Sequence, residues 1–138
     1  GIDGSGFELP LTATVQAVQP ELIGVGGCNE GFLREDALLM VTLIHTNPDQ
    51  PGNFGSEGTP AEWAQAVIDA KGGDEKSVVA FNIGWGGTEC KPSDRICQMV
   101  KMFPYHLLAD RDELDYSPFF DEATDLVATA CAEFIPPG

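Results

Sequence analysis

The chain has 138 residues, 43% of them hydrophobic and 21% charged, which suits one folded domain spanning residues 1–138. Twenty-two acidic side chains against seven basic ones give a net charge of −15. A surface of that sign repels phosphate backbones and anionic lipid, which argues against nucleic-acid binding, and no run approaches the ~18 apolar residues that membrane insertion needs.

In chain order, Ser5-Gly6-Phe7-Glu8 fits a capping box ahead of a helix that presents Phe7, Leu11, Val15 and Val18 on one face. Pro10 sits late for that start, so the alternative is a helix that begins at Pro10 itself. Residues Gln19 to Glu35 read as irregular, with Gly24, Gly26 and Gly27 before a turn at Gly31–Arg34. Ala37–Ile44 is an almost uninterrupted apolar run. That pattern predicts a strand covered on both faces, as in a parallel sheet with helices on each side.

Pro48–Gly58 is a loop by composition. Thr59-Pro60-Ala61-Glu62 then combines a cap, a proline at the first helical position and a capping glutamate, with Trp63, Ala66, Val67 and Ala70 inward. Ser77–Ile83 predicts a second buried strand, closed by Gly84-Trp85-Gly86-Gly87. Ser93 is the expected cap of a third helix, with Ile96, Met99, Val100 and Phe103 inward and Pro104 as its stop. Tyr105–Ala109 is a third strand. Ser117-Pro118 opens the last helix, whose stripe is Phe119, Ala123, Leu126, Val127, Ala130 and Phe134. Alternating helices and strands predict an α/β fold: an open, mostly parallel sheet with helices on both faces and right-handed crossovers.

Ligands of such sheets bind beyond the carboxyl ends of the strands. The residues falling there are His45, Thr46, Asn47 and Asp49 after the first strand, Trp85 after the second, and Asp110 and Asp112 after the third. His45 suits metal ligation or proton transfer near neutral pH, or a structural hydrogen bond at a strand end. The acids at Asp110, Asp112, Glu113 and Asp115 suit calcium or a solvated turn, though they lack the glycine and distal glutamate of a calcium loop. Trp85, among glycines, suits stacking on a partner or sugar, or packing on the Cys90–Cys97 loop. No phosphate-binding glycine motif and no G-x-S-x-G elbow occurs.

Four cysteines form an even set that allows three pairings. Cys90 and Cys97 flank a short loop and suit a staple, with Cys28 and Cys131 completing the set. This usage favours disulfides in a secreted, periplasmic or cell-surface protein over metal ligation, with cytosolic thiols as the alternative. No basic-then-apolar export signal is present, so export implies a leader removed before Gly1.

Taken together, Gly4–Glu8, Gly31–Leu39, Ala70–Glu75, Asp115–Phe120 and Ala130-Cys131 resemble the carboxyl-terminal half of a von Willebrand factor A-like domain, more narrowly the secreted bacterial type found in myxobacteria. The resemblance implies an extracellular binding role and a divalent-cation adhesion site whose hard oxygen ligands suit magnesium or manganese, so that magnesium or calcium is the cation to expect if any is bound. The motif for that site is missing or degenerate here. Asp3-Gly4-Ser5-Gly6-Phe7 ends in phenylalanine where D-x-S-x-S needs serine. His45 and Thr46 stand where the family has a threonine–aspartate pair. The resemblance also makes Ala37–Ile44 a central strand whose neighbour belongs to the amino-terminal half.

The expected function is a noncatalytic extracellular binding or assembly module. Its contact face would be His45–Asn53, Trp85–Gly87 and Asp110–Asp115, its sheet completed by another chain or segment. No cofactor is expected beyond a possible cation. The alternative is a small α/β enzyme with acid–base chemistry at His45 and Asp49 or Asp110.

Overall fold

The structure is a computed structural model and describes residues 8–50 and 55–136. The capping box at Ser5 and the loop residues 51–53 of the expected contact face lie outside the described residues.

Helix α1 (Pro10–Ala17) begins at Pro10, whose missing N–H is harmless in a first turn. A short helix, α2 (Pro20–Ile23), follows within the stretch read as irregular. Strand β1 (Leu39–Ile44), helix α3 (Pro60–Ala70), strand β2 (Val78–Gly84), helix α4 (Arg95–Val100), strand β3 (Tyr105–Asp110) and helix α5 (Ser117–Glu133) complete the order. The sheet runs β1-β2-β3 and is parallel throughout, with Ile44 beside Ile83 and Gly84 beside Asp110. The chain is an α/β fold, an open three-stranded parallel sheet with helices packed against both faces.

The α3 capping box forms as its residues predict, Thr59 and Glu62 each serving the other's backbone. Its buried side is Trp63, Ala64 and Val67, while Ala66 and Ala70 are only half-buried. At α4 the cap is Asp94, one residue after the expected Ser93, and its Oδ1 accepts from Cys97 N–H at 3.0 Å. Asp94 is buried where Ser93 is exposed, so the carboxylate is the group that reaches the helix end.

One face of the sheet is covered by α1, α3 and α4. There Leu39, Val41 and Leu43 of β1 meet Leu11, Val67, Ile96, Met99 and Phe103. Among the described residues, the other face carries only α5, whose Phe119, Ala123, Leu126, Val127 and Ala130 pack on Val79 and Phe81 of β2 and on Tyr105 and Leu107 of β3. Every residue of β2 is buried, so β2 is the two-sided strand.

Strand β1 corrects the expectation of two covered faces. Helix α5 sits over β2 and β3 and does not extend across β1, which leaves Met40 58% and Ile44 73% exposed, with Thr42 exposed between them. An apolar run records which residues tolerate burial; the number of helices available decides which are buried.

Candidate functional site

The carboxyl ends of the strands bring His45, Trp85 and Asp110 to one end of the sheet, as their places after β1, after β2 and in β3 require. Most of the residues picked out there are occupied by the fold. His45 is 8% exposed, with Nδ1 2.8 Å from the Asn47 carbonyl and Nε2 2.9 Å from Asn82 Oδ1. A carbonyl only accepts, so Nδ1 carries a proton and, in the neutral ring, Nε2 is an acceptor. Asn82 Nδ2 is buried without a partner as placed. Turning that amide over pairs Nδ2 with Nε2, an orientation with the same heavy-atom shape. The ring also rests on Gly84, where any Cβ would overlap it. The ring nitrogens of His45 thus meet Asn47 and Asn82 rather than Asp49 or Asp110.

Asp49 is fully buried and joins three elements. Its carboxylate accepts from Leu11 N–H (3.3 Å), Ser56 N–H (2.8 Å) and Ser56 Oγ–H (2.7 Å), and lies 3.4 Å from Arg95 Nη1. Ser56 Oγ in turn accepts from Thr12 N–H at 2.8 Å. Helix α1 has no side-chain cap of its own, so Asp49 and Ser56 cap it from a distant loop. Arg95 donates to the carbonyls of Gln50, Ser56 and Gly58 and stacks 4.4 Å from the Trp63 ring. Arg95, Ser56 and Asn82 escaped the sequence reading, because each has a partner 37 or more residues away, even though Ser56 also meets Asp49 seven residues before it.

Trp85 is half-buried, and Lys91 Nζ lies 4.2 Å from its ring centroid, an ammonium over one face of the ring. Lys91 belongs to the loop closed by the Cys90–Cys97 disulfide. Cys28 and Cys131 are free and exposed, which corrects the expectation of a second bond. The acids before α5 hold their own turn. Asp110 Oδ1 accepts from Asp112 N–H (2.9 Å), and the Asp110 carbonyl accepts from Tyr116 O–H (3.0 Å). The exposed Asp112 lies 3.5 Å from Arg111 Nε, and Asp115 accepts from Ser117 N–H, which holds its carboxyl below the ordinary range. Among the described residues, no group of three or more His, Cys, Asp or Glu side chains is placed to hold a metal ion. None of their helices is long and apolar enough to cross a membrane.

The unsatisfied chemistry lies at the side of the sheet. His45 N–H donates to the Ile83 carbonyl. By alternation, the backbone groups of Leu39, Val41 and Leu43 point to β2, and those of Met40, Thr42 and Ile44 point outward. Among the described residues no strand pairs with that edge. Leu39–Ile44 contains neither proline nor charge, two of the guards that edge strands commonly carry against pairing. At its carboxyl end a groove of about 730 Å³ runs between Leu9, Pro10 and Ala13 on one side and Ile44 and Ile83 on the other. Arg111 and Glu8 stand at the groove's rim, and Arg111 Nη1 donates to the Thr46 carbonyl. Thr46 thus fixes that cation through its backbone, and Asn47 Nδ2 reaches Glu8 at 3.4 Å.

Among the described residues, the fold and this edge define an α/β domain with an open lateral strand. Comparison with protein-family models, curated proteins and solved structures found no match.

Proposed function

We propose that the chain is a noncatalytic, exported protein-binding module that assembles by strand addition at β1. The observation that carries this is the outward row of Met40, Thr42 and Ile44, an apolar edge strand that no strand of the described residues pairs with and whose side chains are exposed. Added strands bind through main-chain hydrogen bonds, and pockets for alternate side chains give selectivity. The contact therefore lies along the side of the sheet, and the carboxyl-end residues His45 and Asp49 hold the scaffold behind it.

Export is supported by the Cys90–Cys97 disulfide. The A-like reading is supported by the parallel sheet between helical layers; on that reading β1 would correspond to the fourth strand, with the amino-terminal half along its outer side. A photo-crosslinking residue at Met40 or Ile44 should couple covalently to a polypeptide when the protein is recovered from its source. The same group at Lys101, exposed on a different element, should not. Absence of any adduct at positions 40 and 44 overturns the reading.

A further inference from the structure

We propose that the occupant of the β1 edge is β1 of a second copy, paired antiparallel about Thr42. This rests on the strand-addition reading and names its partner. A symmetric dimer needs a self-complementary surface, because each contact is made twice with the roles exchanged. The outward backbone groups belong to even-numbered residues, so in an antiparallel pair even residues face even residues. With Thr42 on the two-fold axis, Thr42 faces its own copy, and Met40 faces the second copy's Ile44. The two exposed large apolar side chains of the strand, at 58% and 73%, become cross-strand neighbours. Threonine–threonine and aliphatic pairs of this kind are favourable on one face of a sheet.

The charges at the strand's ends complement each other in the same register. Thr46, whose carbonyl holds Arg111, falls opposite the second copy's Leu38. Asp36 is two residues further along, roughly 7 Å, within reach of an arginine side chain. Asp36 is 73% exposed with Arg34 Nε 3.1 Å away, and Arg111 stands at the groove rim 3.5 Å from Asp112, so the contact exchanges one exposed pair on each copy for one between copies. The two-fold axis makes this ion pair twice. A parallel pairing brings the acidic ends together and is not self-complementary. Two copies of charge −15 repel at long range, but at ~150 mM salt the Debye length is ~8 Å, which confines that repulsion and leaves the close pairs.

The test is the mass of the protein in solution at ~150 mM salt, read together with amide hydrogen exchange at Met40, Thr42 and Ile44. The expected result is a species of twice 14.7 kDa in which those three amides exchange slowly, and faster on dilution to monomer. Arg111→Glu should weaken the dimer about tenfold, because the lost pair counts twice, and adding Asp36→Arg should restore it. Thr42→Pro removes the central donor and should leave a monomer. Should that variant fail to fold, the charge swap still decides. A monomer with fast exchange at the three amides overturns the second copy while leaving the edge open to another polypeptide. A monomer with slow exchange overturns both, because the chain then covers its own edge. A dimer whose β1 amides exchange fast, or whose strength ignores the charge swap, assembles elsewhere and also overturns the inference.

Discussion

Asp49 shows how one buried carboxylate can organise a fold. Its oxygens accept three hydrogen bonds and face Arg95, so removal strands two backbone donors, a hydroxyl and a guanidinium. Asp49→Ala should cost about 3–5 kcal/mol in denaturant unfolding, the cost of breaking a buried pair from one side. Asp49→Asn keeps an acceptor and should cost less than half of that. Equal losses in the two variants would show that the charge, rather than acceptor geometry, dominates. Gly84 makes a steric demand of the same precision, since a methyl there overlaps the His45 ring. Gly84→Ala should cost about 1–3 kcal/mol by overpacking. Combined with His45→Ala, the total should fall short of the sum of the single losses, because the overlap disappears with the ring. Additive losses would mean that Gly84 is needed for some other contact.

At the scale of elements, α5 is fastened to the sheet at its carboxyl end. Tyr105 O–H donates to Glu133 Oε2 at 2.7 Å, and Lys76 Nζ lies 3.1 Å from the same oxygen. The phenol first, and then the ammonium, hold the Glu133 carboxyl below the ordinary range, and the same hydrogen bond raises Tyr105. A depressed folded-state carboxyl contributes stability above its unfolded pKa of ~4.3 and loses it as pH falls through the folded value. The raised phenol contributes fully below ~10 and loses its share as pH rises through its folded value. Tyr105→Phe should therefore return Glu133 toward the ordinary range, read by NMR titration of its carboxyl carbon. An unchanged Glu133 titration would assign the depression to Lys76 alone.

The elements were legible where their signals are local. Thr59-Pro60-Ala61-Glu62 sets the start of α3 by contacts within four residues, and Cys90 and Cys97 close a loop short enough to read from spacing. Helix α5 keeps its stripe from Phe119 to Ala130 because that period is intrinsic, while Phe134 falls just past the helix end and meets Lys71 instead. What failed was relational. Ala37–Ile44 looked two-sided, yet whether a helix lies over Met40 and Ile44 depends on where α5 ends up. The Arg95 hub is a single arginine in a short helix, and nothing near it announces Asp49 or Trp63. The candidate site suffered most from this. Its residues do gather at the carboxyl ends of the strands, but His45 and Asp49 are buried by hydrogen bonds to partners remote in the chain, which no local pattern announces.

For the whole molecule, the charge of −15 is the quantity no local contact balances. Four ion pairs occur among the described residues, three exposed and one buried. The remaining acids repel one another through solvent, and that repulsion opposes the compact state. Raising salt from ~10 to ~150 mM shortens the Debye length from ~30 to ~8 Å, which screens the distant acids far more than the buried Arg95–Asp49 contact. Thermal unfolding at fixed protein concentration should therefore shift upward by about 2–4 °C, the equivalent of ~1 kcal/mol for a chain of this size. A downward shift would mean that attractive surface pairs outweigh the acid excess. Replacing sodium by magnesium or calcium at matched ionic strength separates screening from ligation, because pure screening gives coincident curves. A clear excess stabilisation by either divalent ion, saturating with concentration, would assign part of the acidic surface to a bound cation.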